Sequence, residues 1–166
     1  MNRNRENRIY WNRGWTFFEE YTPALCEKET AGFPEGTEVE LPHTAAVTPL
    51  HYFDESIYQK HCAYRKCFVP EKDWEGKRIF LNIEAAGHSA RVYLNGILLT
   101  EHFCGYTAFQ AELTAGIRQG MENVLLIEVD SRESQDLPPF GRAIDYMTFG
   151  GLYREVYLDI REKYCI

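Results

Sequence analysis

The stretch Arg78–Glu101, RIFLNIEAAGHSARVYLNGILLTE, decides the fold class. Ile79, Leu81 and Ile83 alternate with Arg78, Phe80, Asn82 and Glu84, and further on Ala90, Val92 and Leu94 alternate with Arg91, Tyr93 and Asn95. Successive side chains of a strand point to opposite faces, so a period of two puts one face of each segment against a core. Asn95 and Gly96 are the residue pair that tolerates the positive φ angles of a tight turn, and Ile97–Glu101 is expected to pair back on the strand before it.

The same pattern extends outward. Val156, Leu158 and Ile160 alternate with Glu155, Tyr157 and Asp159 within Arg154–Ile160, and further strands are expected at Thr37–Leu41, Ala63–Val69, Phe109–Leu113 and Val124–Asp130. Turn-forming residues separate them at Pro70–Gly76, Ala86–His88 and Thr114–Asn123. Seven or eight short strands without a helix longer than two turns indicate an all-β sandwich or barrel rather than a doubly wound α/β fold. A 14% aromatic content suits half-buried pleated surfaces. The 166 residues fit one domain, which at this size removes roughly 70% of the unfolded chain's surface from water.

A net charge of −7 argues against nucleic acid or an anionic membrane as partner, since binding phosphate needs a concentrated basic surface. Arg3, Arg5, Arg8 and Arg13 make only a short, interrupted basic run, expected to be a solvated tail over residues 1–14. The first twenty residues lack the apolar core of a secretory signal and no segment approaches a membrane span, so a cytoplasmic setting is expected. Five cysteines at irregular spacing, Cys26, Cys62, Cys67, Cys104 and Cys165, favour reduced thiols over a disulfide framework. No cofactor is implied. Two connections, His43–Lys60 and Ser131–Gly151, are longer than folding requires, and unstructured loops of such length are uncommon unless functional or disordered.

Six segments in order carry a family resemblance: ELPHT (Glu40–Thr44), AYRKCFVP (Ala63–Pro70), ARVYLNG (Ala90–Gly96), GYTAFQAELT (Gly105–Thr114), NVLLIEVD (Asn123–Asp130) and DYMTFGGLYREVYL (Asp145–Leu158). Together they resemble the amino-terminal sugar-binding domain of family 2 glycoside hydrolases of the β-galactosidase and β-glucuronidase type. The resemblance implies an antiparallel jelly-roll β-sandwich, galactose-binding-domain-like, over residues 15–162, with 163–166 as its carboxy-terminal end. In the family an immunoglobulin-like domain and a (β/α)8 barrel follow, and two barrel glutamates cut the glycosidic bond. The sequence contains no Asn-Glu dipeptide, nucleophile-elbow serine, glycine-rich phosphate loop or His-Glu-x-x-His run. No catalytic residue is therefore expected here, and the barrel is taken to be absent from this chain.

Asp145, nine residues before Arg154, matches by resemblance the aspartate that reaches across the domain boundary to the sugar. An ionised carboxylate can accept short hydrogen bonds from two neighbouring hydroxyls and orient a ring without attacking it; the plainer reading is a turn-capping loop aspartate. His43 and Thr44 follow the Leu41-Pro42 pair where the family has His, Asp and Trp, so Thr44 and Ala45 depart from the pattern, and a structural histidine is the alternative. Gly150, Gly151 and Arg154 are expected to position the loop: the glycines by permitting close approach, the arginine by bridging to the sandwich. Tyr106, Tyr146 and Phe149 could stack on a pyranose face or serve the core. His61, Cys62 and Cys67 fit no metal-binding spacing, and Trp15 and Trp74 are expected to pack at the sandwich edge.

The expected function is an accessory, sugar-binding domain completing the glycone pocket of a retaining β-glycosidase. Its partners would be a β-galactoside or β-glucuronide, the immunoglobulin-like and barrel domains, and further subunits of a homo-oligomer. A free-standing carbohydrate-binding module and a purely structural interaction domain are the rivals; an apolar surface left uncovered would favour the first reading over both.

Overall fold

The computed structural model describes residues 8–28, 32–47, 50–51, 54–137 and 148–163, and in it two antiparallel sheets face each other. One sheet runs β1 (Arg8–Tyr10), β10 (Val156–Arg161), β5 (Arg78–Ile83), β8 (Phe109–Glu112). The other runs β3 (Thr37–Val39), β2 (Trp15–Phe18), β4 (His61–Phe68), β9 (Asn123–Asp130), β6 (Ser89–Leu94), β7 (Ile97–His102). The chain is all-β, with short 3-10 turns at Pro23–Cys26, Glu55–Tyr58 and Lys72–Trp74, and the jelly-roll sandwich expected from the sequence is what it forms.

The alternating residues meet in the middle. Ile79, Leu81 and Ile83 of β5 and Val156 and Leu158 of β10 share one core with Trp15, Tyr64, Val92, Leu94, Leu125, Ile127 and Val129 of the opposite sheet. Each such fully buried aliphatic side chain contributes about 1.5–3 kcal/mol over its exposed state. Trp15 and Trp74 belong to this core, with 0% and 3% of their surface in water. On the outer face of β5, Phe80 is shielded by the guanidinium groups of Arg78 and Arg161, 4.7 and 5.0 Å from its ring centre. The β6–β7 hairpin turns at Asn95 (φ 52°) and Gly96 (φ 83°). The Asn95 side chain ties that turn to its surroundings, donating to the Gly116 carbonyl and the Asn123 side chain, both at 2.9 Å, and accepting from the Val124 amide at 3.0 Å.

Two expectations need correction. The basic run is not wholly a solvated tail: Arg8–Tyr10 pair antiparallel with Tyr157–Asp159, Arg8 lies 4.4 Å over the Tyr157 ring, and the Trp11 amide donates to Val156 at 2.8 Å. Backbone pairing and aromatic neighbours there outweigh the solvation of scattered arginines. Trp15–Phe18 forms a strand that the alternation did not announce, because its two faces enter two different apolar clusters.

Strand β9 is likewise covered on both faces. Leu126 packs outward against Phe18, Ala63, Leu25 and Cys26, the last two brought over by the Pro23–Cys26 turn. Glu128, also outward, is 3% exposed. Its Oε1 accepts from His61 Nε2 at 2.8 Å and from Arg91 Nη1 at 2.9 Å, and its Oε2 from the Tyr93 hydroxyl at 2.9 Å. A carboxylate only accepts, so His61 carries its hydrogen on Nε2.

Candidate functional site

At one edge of the sandwich the two long connections are stitched together. The His43 amide donates to the Leu152 carbonyl at 2.8 Å, and the Ala45 amide to the Gly150 carbonyl at 2.9 Å. Gly87 joins from the β5–β6 connection, its amide 3.2 Å from the Gly151 carbonyl. These contacts need glycine. A Cβ on Gly150 would stand 2.6 Å from Ser131 Oγ and 2.7 Å from the Tyr58 carbonyl. Gly151 has φ 92°, and a Cβ there would lie 3.0 Å from the Ala45 amide and 3.1 Å from the His43 carbonyl.

Beneath the stitch lies Tyr64 of β4, fully buried. Its hydroxyl is 2.9 Å from His43 Nδ1, accepts from the Leu152 amide at 3.3 Å and lies 3.4 Å from the His43 carbonyl. The His43 ring packs on Phe17, centroids 4.8 Å apart, and burial holds its pKa below the ordinary histidine value. The Thr44 hydroxyl donates to the Ala46 carbonyl at 3.1 Å. His43 Nδ1 and the Thr44 hydroxyl are thus both engaged within the protein. Asp145 and Tyr146 lie outside the described residues. Val47 and Leu50, in the connection that begins at His43, keep 89% and 95% of their surface in water.

Arg154 is exposed, its guanidinium 5.8 Å from the Tyr153 ring centre. Tyr153 in turn donates its hydroxyl to the Gly105 carbonyl. Together with Gly87, His88, Tyr106 and Phe149 these residues line a cleft of about 210 Å³. A larger hollow of about 520 Å³ beside Lys77, Arg78 and Thr114 is less suited to a charged ligand, since Arg78 pairs with Glu112 at 2.8 Å and Lys77 with Glu162 at 4.0 Å.

Cys62 points into the core and Cys67 outward, so the pair does not converge. Burial raises the Cys62 thiol to about 12 and the Cys26 thiol to about 11, which keeps both protonated at neutral pH. Among the described residues no three His, Cys, Asp or Glu side chains group around a metal position, and no helix is long and apolar enough to cross a membrane.

No protein-family model matches the chain. A β-galactosidase of Thermoanaerobacter pseudethanolicus is 43% identical over 123 residues, 74% of this chain and 17% of that protein. A β-galactosidase of Thermoanaerobacterium thermosulfurigenes is 37% identical over 150 residues, 90% of this chain and 21% of its own length. The structure of a Bacteroides uniformis β-glucuronidase superposes with TM-score 0.78 at 30% identity, over 92% of this chain and 18% of that one. The chain belongs to glycoside hydrolase family 2, as an amino-terminal β-sandwich domain. It spans about a fifth of the length of the curated relatives it matches. A family 2 member from Bacteroides cellulosilyticus, 21% identical with TM-score 0.75, shares the fold.

In this family 2 domain the sequence singled out both long loops, and they meet at their His43 and Gly150 ends. Tyr64, which holds them together, was missed. The available signal was a tyrosine on the inward face of a central strand, whose hydroxyl must find a partner when buried. His88, a turn residue by sequence, is buried where Gly105 comes close to it, an approach that no local pattern announces.

Proposed function

We propose that this family 2 domain is the accessory, sugar-binding part of a longer retaining β-glycosidase, and that its His43 and Asp145 loops complete the glycone pocket of a catalytic barrel. The observation that carries the reading is the backbone stitching of the loop after Leu41-Pro42 to the segment after Asp145, through His43–Leu152 and Ala45–Gly150. Whatever position the second loop takes, it is anchored at its exit beside the first. The named relatives, β-galactosidases and β-glucuronidases, support a β-galactoside or β-glucuronide as the sugar.

Asp145 would accept hydrogen bonds from two sugar hydroxyls, each such charged bond being worth about 1.5–3 kcal/mol. His43, with Nδ1 held by Tyr64, would present Nε2 towards the sugar side. Gly150, Gly151 and Arg154 would position the loop. The uncovered Val47 and Leu50 suit contact with an immunoglobulin-like or barrel domain better than permanent exposure to water. Further subunits of a homo-oligomer and a cytoplasmic setting belong to the same proposal.

The test is to read the coding sequence past codon 166 and place Asp145→Asn in the uninterrupted protein. A tenfold or larger fall in kcat/KM on nitrophenyl β-galactoside or β-glucuronide, with unchanged melting temperature, supports the reading. Unchanged kinetics, or enzyme-like hydrolysis by the 166-residue chain alone, overturns it.

A further inference from the structure

We infer that Tyr64 is a positioning residue that joins the two long loops through a directed hydrogen-bond chain, Leu152 amide to Tyr64 hydroxyl to His43 Nδ1, and so fixes His43 as a hydrogen-bond donor at Nε2. Leu152 follows the second long connection and His43 opens the first, and Tyr64 reaches both from the middle of β4. Its ring is fully buried and lies against Phe17, centroids 5.1 Å apart, while Phe17 carries the His43 ring at 4.8 Å. The three packed rings hold the hydroxyl where both loops meet it.

The proton positions follow from counting donors and acceptors. A tyrosine hydroxyl has one hydrogen to give and two lone pairs. The Leu152 amide, 3.3 Å away, can only donate and takes one lone pair. The hydroxyl hydrogen then has two places to go, His43 Nδ1 at 2.9 Å or the His43 carbonyl at 3.4 Å. The second lies beyond the ordinary O–H···O range of about 2.5–3.0 Å, and it would require the same oxygen to accept a further N–H from Nδ1. The first satisfies the hydroxyl through its short contact and leaves Nδ1 as the acceptor. Burial holds the Tyr64 hydroxyl far above the ordinary tyrosine value, so it keeps the proton it gives, and burial likewise disfavours the His43 imidazolium. A neutral imidazole that accepts at Nδ1 carries its hydrogen on Nε2.

That hydrogen is available. Among the described residues Nε2 meets no hydrogen-bond partner, and unlike the buried nitrogens of Trp74 and His88 it is not closed off from solvent. At this atom the ring gives a hydrogen bond and cannot receive one, so what it meets is an oxygen lone pair. The hydroxyl that sets this state also bonds the backbone of the second loop, so the donor at Nε2 is held by both loops and not by its own alone. Which molecule supplies the oxygen rests on the proposed function; the proton placement does not.

The test is a long-range 1H–15N correlation spectrum of the imidazoles in the 15N-labelled 166-residue chain at pH 8, where an ordinary histidine, with a pKa of about 6.5, is neutral. His43→Gln identifies the His43 signals by their loss. Nδ1 is expected at the shift of an unprotonated, accepting nitrogen and Nε2 at that of a protonated one. The ratio of this tautomer to the other should be about two- to tenfold higher than in the urea-unfolded chain, as one hydrogen bond allows. Tyr64→Phe should return the ratio to the unfolded value. A protonated Nδ1, two nitrogens of equal shift, or a folded ratio no higher than in urea overturns the inference, and so does a ratio that stays high in Tyr64→Phe. Should that variant fail to fold, the folded and urea-unfolded wild-type chain decide between them. No sugar enters the measurement, so its outcome is separate from that of the Asp145→Asn kinetics.

Discussion

Gly151 is the residue on which the loop junction turns. Its φ of 92° lies in the region that L side chains rarely adopt, and Tyr64, Ala45 and His43 occupy the space a Cβ would need. Gly151→Ala should destabilise the domain by about 2–3 kcal/mol, combining the backbone penalty with overpacking of a buried site; urea unfolding followed by tryptophan fluorescence would measure it. Tyr64→Phe isolates the hydroxyl beneath. It removes the acceptor of the Leu152 amide and the partner of His43 Nδ1 while keeping the ring in the core, so a loss of about 1–3 kcal/mol is expected from the orphaned groups. Amide exchange at Leu152 should speed up more than exchange at Leu126, which packs on the outer face of the sheet that carries Tyr64. At this scale the sequence was partly legible. Paired glycines announce a close approach, but which side chain they approach depends on strands far apart in the chain, Tyr64 and Gly151 being bridged only in the folded sheet.

Strand β9 shows where alternation stops being informative. Leu125, Ile127 and Val129 read as an inward face and are one. The outward set of Leu126 and Glu128 looks solvent-facing by period, yet both are buried, because the Pro23–Cys26 turn and the side chains of β4 and β6 close over them. Pairing of β9 between β4 and β6 is a long-range outcome that no local window contains. The hairpin at Asn95-Gly96 was legible for the opposite reason: its backbone requirement is met by two adjacent residues. Glu128→Ala tests the polar lid. Removing the carboxylate leaves His61 Nε2 without its acceptor, Tyr93 with the Tyr21 hydroxyl as its remaining partner, and Arg91 with Glu101 alone, 2.5 Å away. Breaking a buried pair from one side typically costs about 3–5 kcal/mol, and the half-exposed Arg91 places the expectation near the lower end of that span. A double-mutant cycle with Tyr93→Phe should show coupling above about 0.5 kcal/mol. Strict additivity would mean that the Tyr93–Glu128 bond adds nothing to stability.

Across the whole molecule, acid should loosen the fold before Asp130 and Glu112 are titrated. Burial lowers the pKa of His43 in the loop junction, and at His88 it outweighs the opposite pull of Asp130 and Glu133. In the unfolded chain both return to about 6.5. Below that pH the unfolded state takes up protons that the folded state refuses, so stability rises with pH through this window and is fully present above it. The carboxylates act elsewhere. At Asp130, burial works upward but the bonds from Arg132 prevail, and Arg78 holds Glu112 down; both groups sit below their ordinary values. Their contribution is lost only as pH falls below about 4. Urea midpoints should therefore hold steady between pH 8 and pH 7, then drop between pH 6.5 and pH 5. His43→Asn combined with His88→Asn should flatten that drop, whatever its cost at neutral pH. Because His43 sits where the two long loops join, amide exchange at Leu152 should accelerate over the same interval. A drop that persists in the double variant would locate the acid sensitivity away from both imidazoles.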